Sequence, residues 1–237
     1  MLFRSKARNT GVAHAAGSLV AFLDADDEWM PEKLARQVPL FANPNVGVTF
    51  TSYHQIGEDN QEVPFEGPQG YLALRRGQTT RWLGFDNFVP FSSSAIRRSL
   101  LERHGAFDEK LRMGIDWDIW LRMSCVTEFD FVHDVLMAYR VGHANQMSKN
   151  KEGRFAAADF IFQRFLEQHP DALTPRDLRQ IEFYTACTRA AAYRQWNLPR
   201  STGLLCRAWT IDPLSSSPYL GLLRNAQAMV ARVASLL

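Results

Sequence analysis

Acidic residues carry the strongest chemical signal in this chain. Asp24, Asp26 and Asp27 fall within four positions, and Asp116 opens a later segment, Asp116-Trp117-Asp118-Ile119-Trp120. Carboxylates this close repel one another, which costs stability unless something neutralises them. Hard oxygen ligands suit Mg²⁺ or Mn²⁺, which bridge one or two carboxylates to a substrate's phosphates. Two chemistries fit. The first Asp attacks phosphorus as a nucleophile, or the acids hold a metal on a nucleotide diphosphate leaving group. The plain alternative is an exposed acidic loop that caps the next helix, because charge runs are usually solvated.

These acids need a frame, and the flanking sequence reads as an α/β sheet. Lys6 to Gly17 is alanine-rich and predicts a helix with Gly17 at its C-cap. Leu19-Val20-Ala21-Phe22-Leu23 is short and apolar on both faces, the pattern of a buried parallel strand. Ligands collect at the ends of such strands, where Asp24 begins. Pro31 opens a helix with Leu34, Val38 and Phe41 on one stripe, and Pro39 ends it early. Strands are predicted at Val46–Tyr53, Phe91–Ile96 and Phe129–Val141. Short helices are predicted at Arg98–His104 and Trp117–Met123, with a polar loop from Gly57 to Gly70.

Beyond Lys149 the sequence shows helical patterns and no strand. Thr174-Pro175-Arg176-Asp177 carries a Thr cap, Pro at the first position and an acid at the third. Pro218 to Leu237 predicts one amphipathic helix. Leu222, Leu223, Ala226, Met229, Val230, Val233, Leu236 and Leu237 share a face. The favoured partner of that face is the preceding helix around Leu204, Leu205 and Trp209. The alternative is peripheral membrane contact through residues 218–237, for which two arginines give weak attraction.

Composition narrows the class. The chain has 237 residues, 46% hydrophobic and 22% charged, which excludes disorder and a collagen-like fibre. Lys and Arg total 27 against 25 Asp and Glu, so global charge gives no push towards nucleic acid. Cys125, Cys187 and Cys206 are scattered singly, which argues against a zinc ribbon or a disulfide framework. The N-terminus lacks the apolar stretch of a signal peptide, and no apolar run approaches the length of a membrane span. The default expectation is a cytoplasmic protein, with the cytoplasmic face of a membrane as its alternative site.

Four ordered blocks resemble family 2 glycosyltransferases of the GT-A fold. They are Ala7-Arg8-Asn9-Thr10-Gly11; Gly17 through Asp27 with Trp29-Met30-Pro31-Glu32-Lys33-Leu34 and Gln37; Ile96 through Asp108; and Asp116 through Arg122. Tyr139-Arg140 with His143 and Ser148 resembles the closing segment. The resemblance covers residues 7–148. It implies that Arg8, Asn9, Asp24 and Asp26 bind a nucleotide-sugar donor. It also implies a Mn²⁺ or Mg²⁺ site among Asp26, Asp27 and His143, with Asp26 the first choice, and Asp116 as catalytic base. Ile115 stands where the family has Glu. The alternative reading of Arg8 and Asn9 is helix capping and packing at a loop. Trp117 and Trp120 suit either an acceptor site or the core, with core favoured for Trp120.

The implied reaction is metal-dependent transfer of a sugar to an acceptor hydroxyl. The acceptor would be a saccharide or lipid-linked, in surface polysaccharide or glycoconjugate synthesis. The family's opening strand–helix–strand–helix unit has no counterpart before Arg8. The expected architecture is therefore a partial GT-A α/β domain over residues 1–148 and an α-helical domain over 149–237. Two alternatives stand beside this reading. One is a non-catalytic remnant that binds a partner. The other is a haloacid dehalogenase-like phosphatase, whose Asp-x-Asp-x-Thr/Val pattern fits poorly because Asp27 and Glu28 follow Asp26.

Overall fold

Helix α1 (Phe3–His14) leads into strand β1 (Leu19–Ala21) in the computed structural model, which describes residues 3–64, 74–142 and 150–234. The acidic stretch follows. Next come β2 (Glu28–Trp29), α2 (Lys33–Gln37), a 3-10 turn at Val38–Ala42, the long β3 (Val46–Ile56) and β4 (Glu62–Val63). After α3 (Thr80–Phe85), a 3-10 turn at Phe91–Ser93 precedes β5 (Ala95–Arg97). Helices α4 (Arg98–His104) and α5 (Ile115–Ser124), strand β6 (Glu128–Arg140) and helix α6 (Lys151–Gln168) complete the first unit, residues 1–172.

The strands form one sheet in the order β1-β5-β3-β6-β2, with β4 beside β3. Its parallel pair is β3 with β6, registered from Val46 opposite Glu128 to Ile56 opposite Arg140. Val48, Phe50, Phe129 and Met137 of this pair are fully buried, as expected for strands covered on both faces. The first strand departs from expectation. Only Leu19–Ala21 is extended, and it runs antiparallel to β5, with Val20 opposite Ile96. Val20 and Phe22 face the core, while Leu23 is exposed. The strand predicted at Phe91–Ile96 is also split. The Ser93 and Ser94 hydroxyls donate back to the carbonyls of Pro90 and Phe91. Such local bonds compete with a strand ladder.

Helix α6 belongs to the first unit, so the division falls after residue 172 rather than at 148. Its Ile161 and Phe165 are buried, and Phe162 stacks on Trp117 with ring centroids 6.1 Å apart. The change at Lys149 marks a switch from strands to helices within one unit, because α6 packs on α5.

The second unit, residues 173–237, holds α7 (Pro175–Tyr193), α8 (Leu198–Ile211) and α9 (Ser216–Ala234). Thr174 caps α7 in a reciprocal capping box with Asp177, as the sequence predicts. Helix α9 packs by a different stripe from the one expected. Pro218, Gly221 and Asn225 face inward, whereas Leu223 and Met229 are each 62% exposed. The reason is close approach. A Cβ on Gly221 would lie 2.6 Å from Leu205 Cδ2, so glycine lets the helices meet at this stripe. Asn225 then bonds to Ser201, Thr202 and Arg194. The side chains of Val230, Val233, Leu236 and Leu237 lie outside the described ones.

Candidate active site

Three segments meet at the end of β1: α1, the acidic loop and the start of α5. From α1, Arg8 Nη2 lies 2.7 Å from Asp24 Oδ1, and its guanidinium sits 3.7 Å above the Phe91 ring. Phe22 stacks on Phe91, and Phe107 meets both rings edge-on. A cation over an aromatic face gains attraction that grows with desolvation. The side chain of Arg8 is 14% exposed, so its charge acts in a poorly solvated place. Asp24, the residue a phosphatase would use as nucleophile, is thus ion-paired.

Asn9 is bonded to the backbone of Phe107. Its amide nitrogen donates to the Phe107 carbonyl at 2.9 Å and its oxygen accepts the Phe107 N–H at 2.9 Å. This two-way bond ties α1 to the segment that leads into α5.

The three loop acids have different fates. Asp26 is exposed. Asp27 is buried, with Oδ1 accepting the Arg140 N–H at 2.9 Å. Its Oδ2 is buried without a hydrogen-bond partner among the described residues, and burial pushes its carboxyl above the usual range. Among the described residues no three acidic, histidine or cysteine side chains are grouped to hold an ion. Of Asp26 and Asp27, only Asp26 presents its carboxylate to solvent, while Asp27 is turned inward. His143 lies outside the described residues.

Two residues hold the loop that the motif alone leaves unsupported. Ser92 Oγ accepts the Asp24 N–H at 3.1 Å, and its carbonyl accepts the Trp29 indole N–H at 2.6 Å. Arg140 reaches across from β6, its Nε donating to the Asp26 carbonyl at 2.9 Å and its Nη2 to Glu28 at 2.6 Å. Arg140 belongs to the closing segment that the sequence marks. Nothing in the sequence marks Ser92.

Asp116 stands in the first turn of α5, just after Gly114, whose φ of +69° few other residues tolerate. A Cβ there would also lie 2.7 Å from Ile161, so glycine fixes how the chain enters the helix. Asp116 is half-buried, and its desolvation raises its pKa. Its own N–H, the Trp117 N–H and the Arg8 charge pull the other way. Asp116 is therefore within electrostatic reach of both Arg8 and Asp24. Trp120 is fully buried in the core, as favoured. Trp117 is half-buried and donates its indole N–H to the Leu83 carbonyl at 2.8 Å.

A family model described as glycosyl transferase family 2 matches residues 3–105. That segment belongs to glycosyl transferase family 2. The family 2 segment thus spans α1, the acidic loop and the sheet to the end of α4. An uncharacterized glycosyltransferase of Methanocaldococcus jannaschii is 26% identical over 156 residues, covering 64% of this chain and 52% of its own length. UDP-Glc:alpha-D-GlcNAc-diphosphoundecaprenol beta-1,3-glucosyltransferase of Escherichia coli is 35% identical over 63 residues, 27% of this chain and 25% of that protein. The chain spans about half the length of the curated relatives it matches first. Among solved structures, a mannosyltransferase of Pyrobaculum calidifontis in complex with GDP-Man and Mn²⁺ aligns with a TM-score of 0.52 at 21% identity. It covers 96% of this chain and 60% of that one. This likeness shows the fold, the α/β architecture of GT-A glycosyltransferases.

Proposed function

We propose that the chain transfers a sugar from a nucleotide-sugar donor to an acceptor hydroxyl, with Asp116 as the base. The observation that carries this reading is the convergence of Asp116 with Arg8 and Asp24 beside the acidic loop. Asp116 accepts the hydroxyl proton as the acceptor oxygen bonds to the anomeric carbon. The bond from that carbon to the diphosphate breaks, and the nucleoside diphosphate leaves. A carboxyl raised by burial and steadied by a helix N-terminus suits a general base.

Arg8 and Asp24 lie on the donor side of this arrangement. Asp26 presents an outward carboxylate for Mn²⁺ or Mg²⁺, and such an ion offsets negative charge on a departing diphosphate. Asp27 and Arg140 fix the loop from beneath. Asn9 acts by holding the Phe107 segment against α1.

We assign the acceptor to saccharides, including lipid-linked ones, in surface polysaccharide or glycoconjugate synthesis. The E. coli relative named for a diphosphoundecaprenol acceptor supports that class. Peripheral contact with the cytoplasmic face of a membrane fits the second unit. It carries eight arginines against three acids, and α9 leaves Leu220, Leu223 and Met229 exposed. No described helix is long and apolar enough to cross a membrane.

The test is a binding and turnover screen of UDP- and GDP-sugars with the full chain and Mn²⁺. The expected result is metal-dependent nucleotide binding by calorimetry that Asp26→Ala weakens at least about tenfold, with nucleoside diphosphate release when an acceptor is added. Absence of both binding and release across the panel would favour a non-catalytic, partner-binding role.

A further inference from the structure

Asn87 lies in the short segment between α3 and the 3-10 turn at Phe91–Ser93, outside every block that resembles a glycosyltransferase motif. Its Nδ2 donates to Asp116 Oδ2 at 2.7 Å. The other end of the amide accepts the Val89 N–H through Oδ1 at 3.2 Å. That second bond settles which way the amide points, because a backbone N–H requires an acceptor. The backbone N–H of Asn87 is itself held by the Asp86 carboxylate at 2.8 Å. Asn87 is thus held at both ends, and one oxygen of Asp116 is taken.

We propose that Asn87 is a positioning residue for the transfer reaction, holding the Asp116 carboxylate in a single orientation so that its remaining proton-accepting capacity faces the acceptor. The proposal rests on the reading of Asp116 as the base. A carboxylate on a Cβ–Cγ bond rotates freely in water, and a base that rotates presents its lone pairs at random. A hydrogen bond from a neutral amide stops that rotation without adding charge. It also favours the ionised form, which opposes the effect of burial. The charged groups around Asp116 are Arg8 and Asp24, with Asp86 beside Asn87 on the same segment. Arg8 and Asp24 have opposite signs, so their effects on Asp116 partly cancel and leave the amide its own influence.

The decisive variant is Asn87→Asp. It keeps the shape and the acceptor for the Val89 N–H, so the turn survives. It replaces the donor to Asp116 with a repelling carboxylate oxygen. Asn87→Ser, whose hydroxyl can also accept from Val89, serves if Asn87→Asp does not fold. The Asp116 carboxyl is followed by NMR in the full chain carrying ¹³C-labelled aspartate, its signal identified by its loss in Asp116→Asn. Kinetics run in parallel from pH 5 to pH 9. In Asn87→Asp the Asp116 titration should move up by about one pH unit or more. The acid limb of kcat should move with it, kcat at neutral pH should fall about 10- to 100-fold, and donor KM should stay within about twofold. An Asp116 titration unchanged in these variants overturns the role of Asn87, whatever the chain transfers. Full activity in Asp116→Asn instead overturns the base assignment on which the role depends.

Discussion

The two units tie their polar groups together over different spans of chain. In the first, the bonds join residues far apart in the chain. Asn9 pairs with Phe107 across 98 residues, Arg140 with the Asp26 carbonyl across 114, and Arg164 with Asp118 across 46. In the second, the links span fewer residues: Asn225 reaches Ser201, Thr202 and Arg194 across 24, 23 and 31 residues, and the helix starts are capped within one turn. Thr174 and Asp177 are three residues apart, and Asn197 caps α8 through Arg200, also three residues on. Long-range bonds fix the acidic loop and the start of α5 relative to each other, which a site made of scattered residues requires. Local caps set where helices start and leave their outer faces unconstrained. The first unit therefore fixes distant segments against one another, while the second joins neighbouring helices and leaves Leu220, Leu223 and Met229 of α9 exposed.

The largest expected effect separates chemistry from stability in the first unit. Asp116→Asn keeps shape but removes the proton acceptor. It should lower turnover by roughly 10²–10⁴ while the thermal midpoint and nucleotide binding stay close to wild type. A mutant that unfolds instead would mean that the lattice, and not the base, depends on Asp116.

Lys33 probes the cost of that lattice. It is 1% exposed, donates to Gln37 Oε1 at 2.6 Å and lies 4.1 Å from the Trp29 ring centroid. Burial lowers its pKa to about 8, below the roughly 10.4 of an unfolded lysine. Between those values the unfolded chain binds more protons, so stability must rise with pH across the interval. The gain is about 3 kcal/mol, present above the unfolded pKa and lost as pH falls through 8. Urea unfolding at pH 7 and pH 10 should show that rise in wild type and a flatter response in Lys33→Met. Equal pH slopes would place the amine in solvent.

What the sequence reveals follows the same division. The capping box at Thr174 and the strands β3 and β6 are legible because caps and alternation are local patterns. Asp116 and the acidic loop are legible as motif residues. Asn87, Ser92 and the tie from Asn9 to Phe107 are not, because each depends on which distant segments the sheet brings together. The inward stripe of α9 is equally hidden. A helical wheel ranks Leu223 above Gly221 for burial, yet close approach to Leu205 selects the glycine.

Arg164→Met should produce the next effect. The guanidinium bridges Asp108 at 2.5 Å and Asp118 at 2.6 Å, and the Asp118 side chain is only 5% exposed. Arg122 remains as a second partner for Asp118 at 3.1 Å, so the loss is partial. The expected destabilisation is about 1.5–3 kcal/mol, the worth of hydrogen bonds to charged groups. Hydrogen exchange should speed in α5 and α6 and stay unchanged in α7. Equal acceleration in α7 would show that the two units unfold as one.

The smallest effect tests the second unit alone. Thr174 Oγ1 accepts the Asp177 N–H at 3.1 Å, while the Asp177 carboxylate accepts the Thr174 N–H at 3.1 Å. Thr174→Ala removes one arm and leaves a helix N–H without its partner, at a cost of about 1 kcal/mol. Because both arms lie within a single turn, the loss should appear as faster exchange in the first turns of α7 with α5 protection untouched. Thr174→Ser restores the hydroxyl and should return most of the stability. If Thr174→Ala also loosens α5, the caps of the second unit contribute to the geometry of the first, and the contrast between the two ways of holding polar groups fails.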